Sequence, residues 1–181
     1  MKIDILFLNN EMNGHDEYFD NDLFQEYCET HSFEGKKNQI LSVPPSYSKS
    51  ENLTFIVGLG ENKEDINFYD LGTLIGSKIN SDAEIKFLNV VEDTNLIIDG
   101  ILYVQYKFNN YKSEDDSSVN NITFQDLDSS ENEIKKHSVF WVRDLINTPA
   151  LDKSPEEFIN KVRELVDSSG IEVEVYDQKW L

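Results

Sequence analysis

Apolar residues come in two rhythms along this chain. Ile3, Ile5 and Phe7 alternate with Asp4, Leu6 and Leu8, which predicts a strand over residues 2–8. Residues 53–57 are a nearly continuous apolar run stopped by Gly58-Leu59-Gly60, the pattern of a buried strand that ends at a sheet edge. Shorter runs at 39–43, 84–91 and 122–124 read as strands too, the first closed by Pro44-Pro45. The second rhythm is helical. Leu23, Phe24 and Tyr27 mark a helix over 22–30, and Leu71, Leu74, Ile75 and Ile79 mark one over 66–80. Ile97, Ile98, Ile101, Leu102 and Phe108 predict a helix over 94–111, and Ile134, Val139, Val142 and Leu145 one over 130–146. Polar loops are expected at 9–20 and, acidic and serine-rich, at 112–119. Strands that alternate with helices argue for a three-layer α/β domain.

The last stretch is the most clearly punctuated. Ser154 fits an N-cap, Pro155 the first helical position, and Glu157 closes a capping box. Phe158, Ile159, Val162, Leu165 and Val166 then form one helical stripe, and Gly170 stands where a helix-ending glycine belongs. Ile171, Val173 and Val175 alternate with Glu172 and Glu174, as a half-buried strand would.

Composition changes this picture in one respect. The 181 residues are 39% hydrophobic and 12% aromatic, which fits a chain that folds around a core. The charge is unusual: 16 basic against 35 acidic residues, a formal −19. Such a chain repels phosphate backbones and anionic membrane surfaces, which disfavours nucleic-acid and membrane partners. The acids read first as a solvated face. With Cys28 as the one cysteine, no intramolecular disulfide forms. The absence of a long apolar run and of a signal-peptide pattern predicts a soluble, cytoplasmic protein.

The residues alone assign no catalytic, cofactor-binding or metal-binding position. His15 lacks a second histidine at ligand spacing, and residues 9–20 only faintly copy a calcium loop, without its opening Asp or closing Glu. Gly58-Leu59-Gly60 follows a strand as a phosphate loop would, but it is neither G-x-G-x-x-G nor a P-loop; a tight turn is the simpler expectation. Cys28 has no activating base beside it in sequence and reads as packing. His137 sits in Lys135-Lys136-His137 on a solvated helix face, and His31 near a helix end.

Four segments, taken in order, carry a family likeness. Phe33-Glu34-Gly35-Lys36-Lys37, Phe55-Ile56-Val57-Gly58-Leu59-Gly60 and Tyr106-Lys107-Phe108-Asn109-Asn110-Tyr111-Lys112 are followed by the junction Val142-Arg143-Asp144-Leu145-Ile146-Asn147-Thr148-Pro149. Ser154-Pro155-Glu156-Glu157 and Ile171-Glu172-Val173-Glu174-Val175-Tyr176-Asp177 complete the set. Together they resemble the N-terminal domain and domain junction of the leucyl aminopeptidase family, the M17 metallopeptidases. Two departures are the short, polar stretch at 9–21 and Phe140-Trp141-Val142 in place of small residues before the junction arginine.

The resemblance implies an α/β/α domain of macro-like fold with a mixed central sheet over residues 1–129. A linker helix and junction would follow over 130–151, then the truncated start of a catalytic domain, a helix and a strand, over 152–181. It implies a parent enzyme that removes N-terminal residues from peptides through two divalent metals, Zn²⁺ or Mn²⁺, held in a domain beyond residue 181. By the same resemblance the parent is a homo-oligomer, a hexamer in the family, and this chain alone is an inactive monomer or dimer. The rival readings are a stand-alone macro-like module for an ADP-ribose-type ligand and a free-standing acidic interaction protein.

Overall fold

The structure is a computed structural model that describes residues 1–61, 65–111, 119–167, 169–176 and 180. Most of the expected 112–119 loop, and Asp177, therefore lie outside the described residues. The chain falls into two units, Met1–Val139 and Phe140–Leu181.

In the first unit five strands, β1 (Lys2–Leu8), β2 (Ile40–Val43), β3 (Leu53–Gly58), β4 (Ala83–Phe87) and β5 (Ile122–Phe124), form one sheet. Their order is β2-β3-β1-β4-β5. The sheet is mixed: β1 runs parallel to both β3 and β4, and β4 to β5, while β2 is antiparallel to β3. The first strand is thus the central one, with Ile3 opposite Leu53 on one side and Ile85 on the other.

The alternation seen in β1 sorts two cores. Ile3, Ile5 and Phe7 join Phe55, Val57 and Ile85 under the helices α2 (Phe68–Gly76) and α3 (Thr94–Tyr103). Leu6 and Leu8 turn the other way and meet Ile56, Leu41 and Val43 with Phe24 and Cys28 of α1 (Asn21–Thr30). One helix on one face and two on the other make the three layers. Both faces of β1 are covered, which is why residues 3–8 are buried without exception. The polar member, Asp4, is accommodated by hydrogen bonds from Ser50 Oγ (2.5 Å) and Asn52 Nδ2 (3.1 Å).

Helices start where side-chain caps stand. Asp20 accepts from Leu23 N at the head of α1, and Asn67 from Asp70 N at the head of α2. The helices α2 and α3 pack through glycine. A Cβ on Gly72 would lie 2.2 Å from Ile97 O, and one on Gly100 would lie 2.3 Å from Tyr69 O.

Four expectations need correction. The helix predicted over 94–111 ends at Tyr103, because Gln105 N and Tyr106 N turn to Leu102 O and Tyr103 O and tighten the last turn. The buried Gln105 side chain then anchors the chain beyond the helix, donating to Gly76 O (2.9 Å) and accepting from Asn120 (2.9 Å). On α1 the inward pair is Phe24 and Cys28, one helical turn apart, whereas Leu23 is 46% exposed. Along α4 (Ser130–Asn147), Ile134 (68%) and Val142 (47%) point outward. What the head of α4 buries is a polar residue: Asn132 donates to Asn95 O and to Asp99 Oδ1 of α3. Finally, residues 171–176 are not a strand. Alternation supplies side chains for two faces, but a strand also requires a ladder partner, and among the described residues none pairs with this segment.

The second unit holds the end of α4, a short 3₁₀ turn (Ala150–Asp152) and α5 (Pro155–Val166). Thr148 closes α4 through Oγ1 to Asp144 O (2.7 Å), and Lys153 Nζ donates to Leu145 O (2.6 Å). Ser154 Oγ accepts from Glu157 N (3.1 Å), as an N-cap should. None of the residues in α5 is buried.

Candidate functional site

In open α/β sheets, ligands bind beyond the carboxyl ends of the parallel strands. Here that rim carries residues 9–20 after β1, 59–67 after β3 and 88–93 after β4. Its most loop-like element, Gly58-Leu59-Gly60, is locked into backbone. Gly58 N donates to Gln39 O (2.8 Å), Leu59 N to Leu8 O (2.8 Å) and Gly60 N to Gly35 O (2.9 Å). All three amides are spent on carbonyls, so none is free to cradle a phosphate. The glycines are there for closeness. A Cβ on Gly58 would lie 2.1 Å from Lys36 O, and one on Gly35 would lie 2.3 Å from Asn9 O. The two segments Phe33–Lys37 and Phe55–Gly60, far apart in sequence, are therefore one knot over the end of β3. Beside it lies a cleft of about 270 Å³ lined by Asn10, Lys36, Lys37, Gly60, Glu61 and Asp65. Its cations are already engaged, Lys36 with Glu34 and Lys37 with the Asp65 carbonyl.

Between the ends of β1 and β4, where the chain switches sides of the sheet, Asn89 fills the gap. Its side chain accepts from Phe7 N (2.9 Å) and donates to Phe7 O (2.7 Å), so an amide side chain continues the ladder after β4 stops.

His15 and Cys28, which the sequence offers separately, line one cavity of about 510 Å³ with Met12, Phe24 and Phe33. The His15 ring stacks on Phe24 (centroids 4.3 Å apart), and its Nδ1–H donates to Met12 O (2.5 Å). Its Nε2 is 3.3 Å from Asp16 Oδ1, yet buried and without hydrogen-bond geometry to a partner. Burial pushes the Cys28 thiol up to about 11, the wrong direction for a nucleophile. This pair closes the core under α1 and holds no reactive geometry. His31 is exposed, stacks on Tyr27 (4.1 Å) and donates to its carbonyl. His137 is 77% exposed at its side chain, 3.9 Å from Glu133. Among the described residues no three His, Cys, Asp or Glu side chains stand together as metal ligands. No helix is long and apolar enough to cross a membrane among them either.

In the second unit the open feature is an apolar groove of about 430 Å³, with Val142, Leu145, Ile146, Pro155 and Phe158 on its walls. Leu151 stands 96% exposed beside this groove in sequence, and Ile146 is 70% exposed.

No protein-family model matches the sequence. Comparison of folds is more telling. The chain superposes on the cytosol aminopeptidase of Coxiella burnetii with a TM-score of 0.67 at 21% identity, over 92% of this chain and 36% of that one. A tomato leucine aminopeptidase variant gives 0.67 at 13% identity, over 92% and 39%. The fold is that of the leucine aminopeptidase N-terminal domain. Sequence comparison agrees, for the chain is 25% identical over 186 residues to a probable cytosol aminopeptidase of Clostridium tetani, 88% of this chain and 37% of that protein. It spans about a third of the length of the curated relatives it matches. Within the aminopeptidase fold the glycine knot and the Asn89 bridge occupy the strand-end rim as structure rather than chemistry.

Proposed function

We propose that this chain is the non-catalytic N-terminal part of a cytosolic metallo-aminopeptidase of the leucyl aminopeptidase, M17, type. In this reading residues 1–129 are the N-terminal domain, 130–151 the linker helix and junction, and 152–181 the first helix and segment of the catalytic domain. The parent enzyme removes N-terminal amino acids from peptides, with two divalent metals, Zn²⁺ or Mn²⁺, activating water as the nucleophile. It works as a homo-oligomer. The observation that supports this best is the pairing of near-complete coverage of this chain with about a third of its relatives. The rest of such a protein is where a metal site belongs, since the described residues do not fit one.

The locked amides of residues 58–60 speak against an ADP-ribose-type binding module at that loop. The test is a chromogenic leucine substrate offered to the purified chain with and without Mn²⁺. No turnover is expected. Metal-dependent turnover that survives removal of host peptidases would overturn the reading, and so would a coding sequence without an "NTDAEGR"-like segment downstream in frame.

A further inference from the structure

Asn13-Gly14 is the only Asn-Gly pair in the sequence. It stands at the tip of the loop after β1, with both residues exposed. Either side of the tip is anchored, Met12 N to Asn9 O (3.0 Å) and the His15 ring on Phe24. The tip itself is open. Gly14 has φ +88° with nothing within 4 Å of where a Cβ would be, and Asn13 Nδ2 reaches only Glu11 Oε2 (2.9 Å). Among the described residues, no acceptor takes the Gly14 N–H.

We propose that Asn13 is a site of spontaneous covalent change, deamidation to aspartate and isoaspartate. The deprotonated Gly14 nitrogen attacks Asn13 Cγ. The Cγ–Nδ2 bond breaks, and ammonia leaves with the proton the Gly14 nitrogen gave up, closing a five-membered imide. Water then opens the ring. Cleavage at Cγ–N leaves aspartate, and cleavage on the main-chain side leaves isoaspartate, with the chain running through Cγ. The net exchange is one water in and one ammonia out. The attack requires a following residue without a Cβ and a backbone free to bring N to Cγ. Asn9, Asn109, Asn120 and Asn147 lack the first, being followed by Asn, Asn, Asn and Thr. Asp99-Gly100 has a glycine but lacks the second, since Asp99 is buried in α3 and bonded to Asn132. Either product puts a carboxylate beside Glu11 where an amide donor stood, so the contact reverses from attraction to repulsion.

The experiment is peptide mapping of the 181-residue chain after incubation in mildly alkaline buffer, with isoaspartate detected by an isoaspartyl methyltransferase. The Asn13 peptide is expected to gain about one dalton at least about ten times faster than the Asn120 peptide, without change at Asp99. Asn13→Gln is expected to abolish the fast methyl-accepting species while leaving the fold intact by circular dichroism. Asn13 converting no faster than Asn120, or far more slowly in the folded chain than in urea, would overturn the proposal.

Discussion

Gly58 shows how much one hydrogen can decide. Its missing side chain lets the loop from β2 lie directly on the end of β3, where a Cβ would sit 2.1 Å from Lys36 O. Gly58→Ala is therefore expected to cost about 1–3 kcal/mol or more, read as a lower urea midpoint at unchanged slope. Cys28 answers to pH instead. Its thiol moves from 9.0 in the open chain to about 11 when folded, so the fold favours the protonated form. Stability from this group is complete below 9 and is lost as pH rises from 9 towards 11, because the unfolded chain gives up its proton first. The checks are a fall in melting temperature across that window, reduced in Cys28→Ala relative to its own value at neutral pH, and slow labelling by thiol reagents until urea unfolds the chain. At this scale the sequence was legible in part. That Cys28 packs could be read from its helical spacing to Phe24, while its meeting with His15 could not, since Met12 and Gly14 take positive φ to bring the ring back.

The pairing of α2 with α3 is an element-scale device. Two helices with high apolar content pack at backbone range because Gly72 and Gly100 each face a carbonyl of the other helix, Ile97 O and Tyr69 O. Alanine at either position gains up to about 1 kcal/mol of helix propensity. It forces the helices apart at a cost of about 1–3 kcal/mol or more, so net destabilisation is expected from Gly72→Ala and from Gly100→Ala. Once one substitution has opened the gap the second meets less resistance. The double variant should then lose less than the sum, which a chemical-denaturation cycle measures. Periodicity located both helices but not the end of α3, because Gln105 is polar and its partners, Gly76 O and Asn120, come from elsewhere in the chain. It also misjudged α4, where the buried anchor is Asn132 rather than Ile134.

For the molecule as a whole, three layers followed from alternating elements, but the strand order did not. Order depends on which strands meet across the sheet, and β1 pairs with β3 and β4 rather than with its sequence neighbour β2. The absence of an assigned site in the residues left the strand-end rim unexplained until its amides and the Asn89 side chain were seen to be engaged within the fold. In the second unit Val142, Ile146, Leu151, Phe158 and Leu165 are each more than a third exposed. Apolar surface of that kind favours association. Light scattering of the 181-residue chain is expected to show a dimer, and a version ending at Ala150 a monomer. Two monomers would show that these side chains tolerate water.

The central place of β1 has a consequence for how the protein is made. Translation delivers β1 before β3, and β3 before β4, so Ile3 waits for Leu53 and then again for Ile85. Meanwhile the nascent chain carries an almost wholly apolar segment, IDILFL, with unsatisfied edges on both sides. The ribosome next adds Glu11, Asp16, Glu17, Asp20 and Asp22, with no lysine or arginine between Lys2 and Lys36. A block of one sign next to a sticky strand keeps neighbouring nascent chains apart, as gatekeeper charges do. The acidity that the folded domain spreads over its surface thus also protects its middle strand during the interval before that strand has partners.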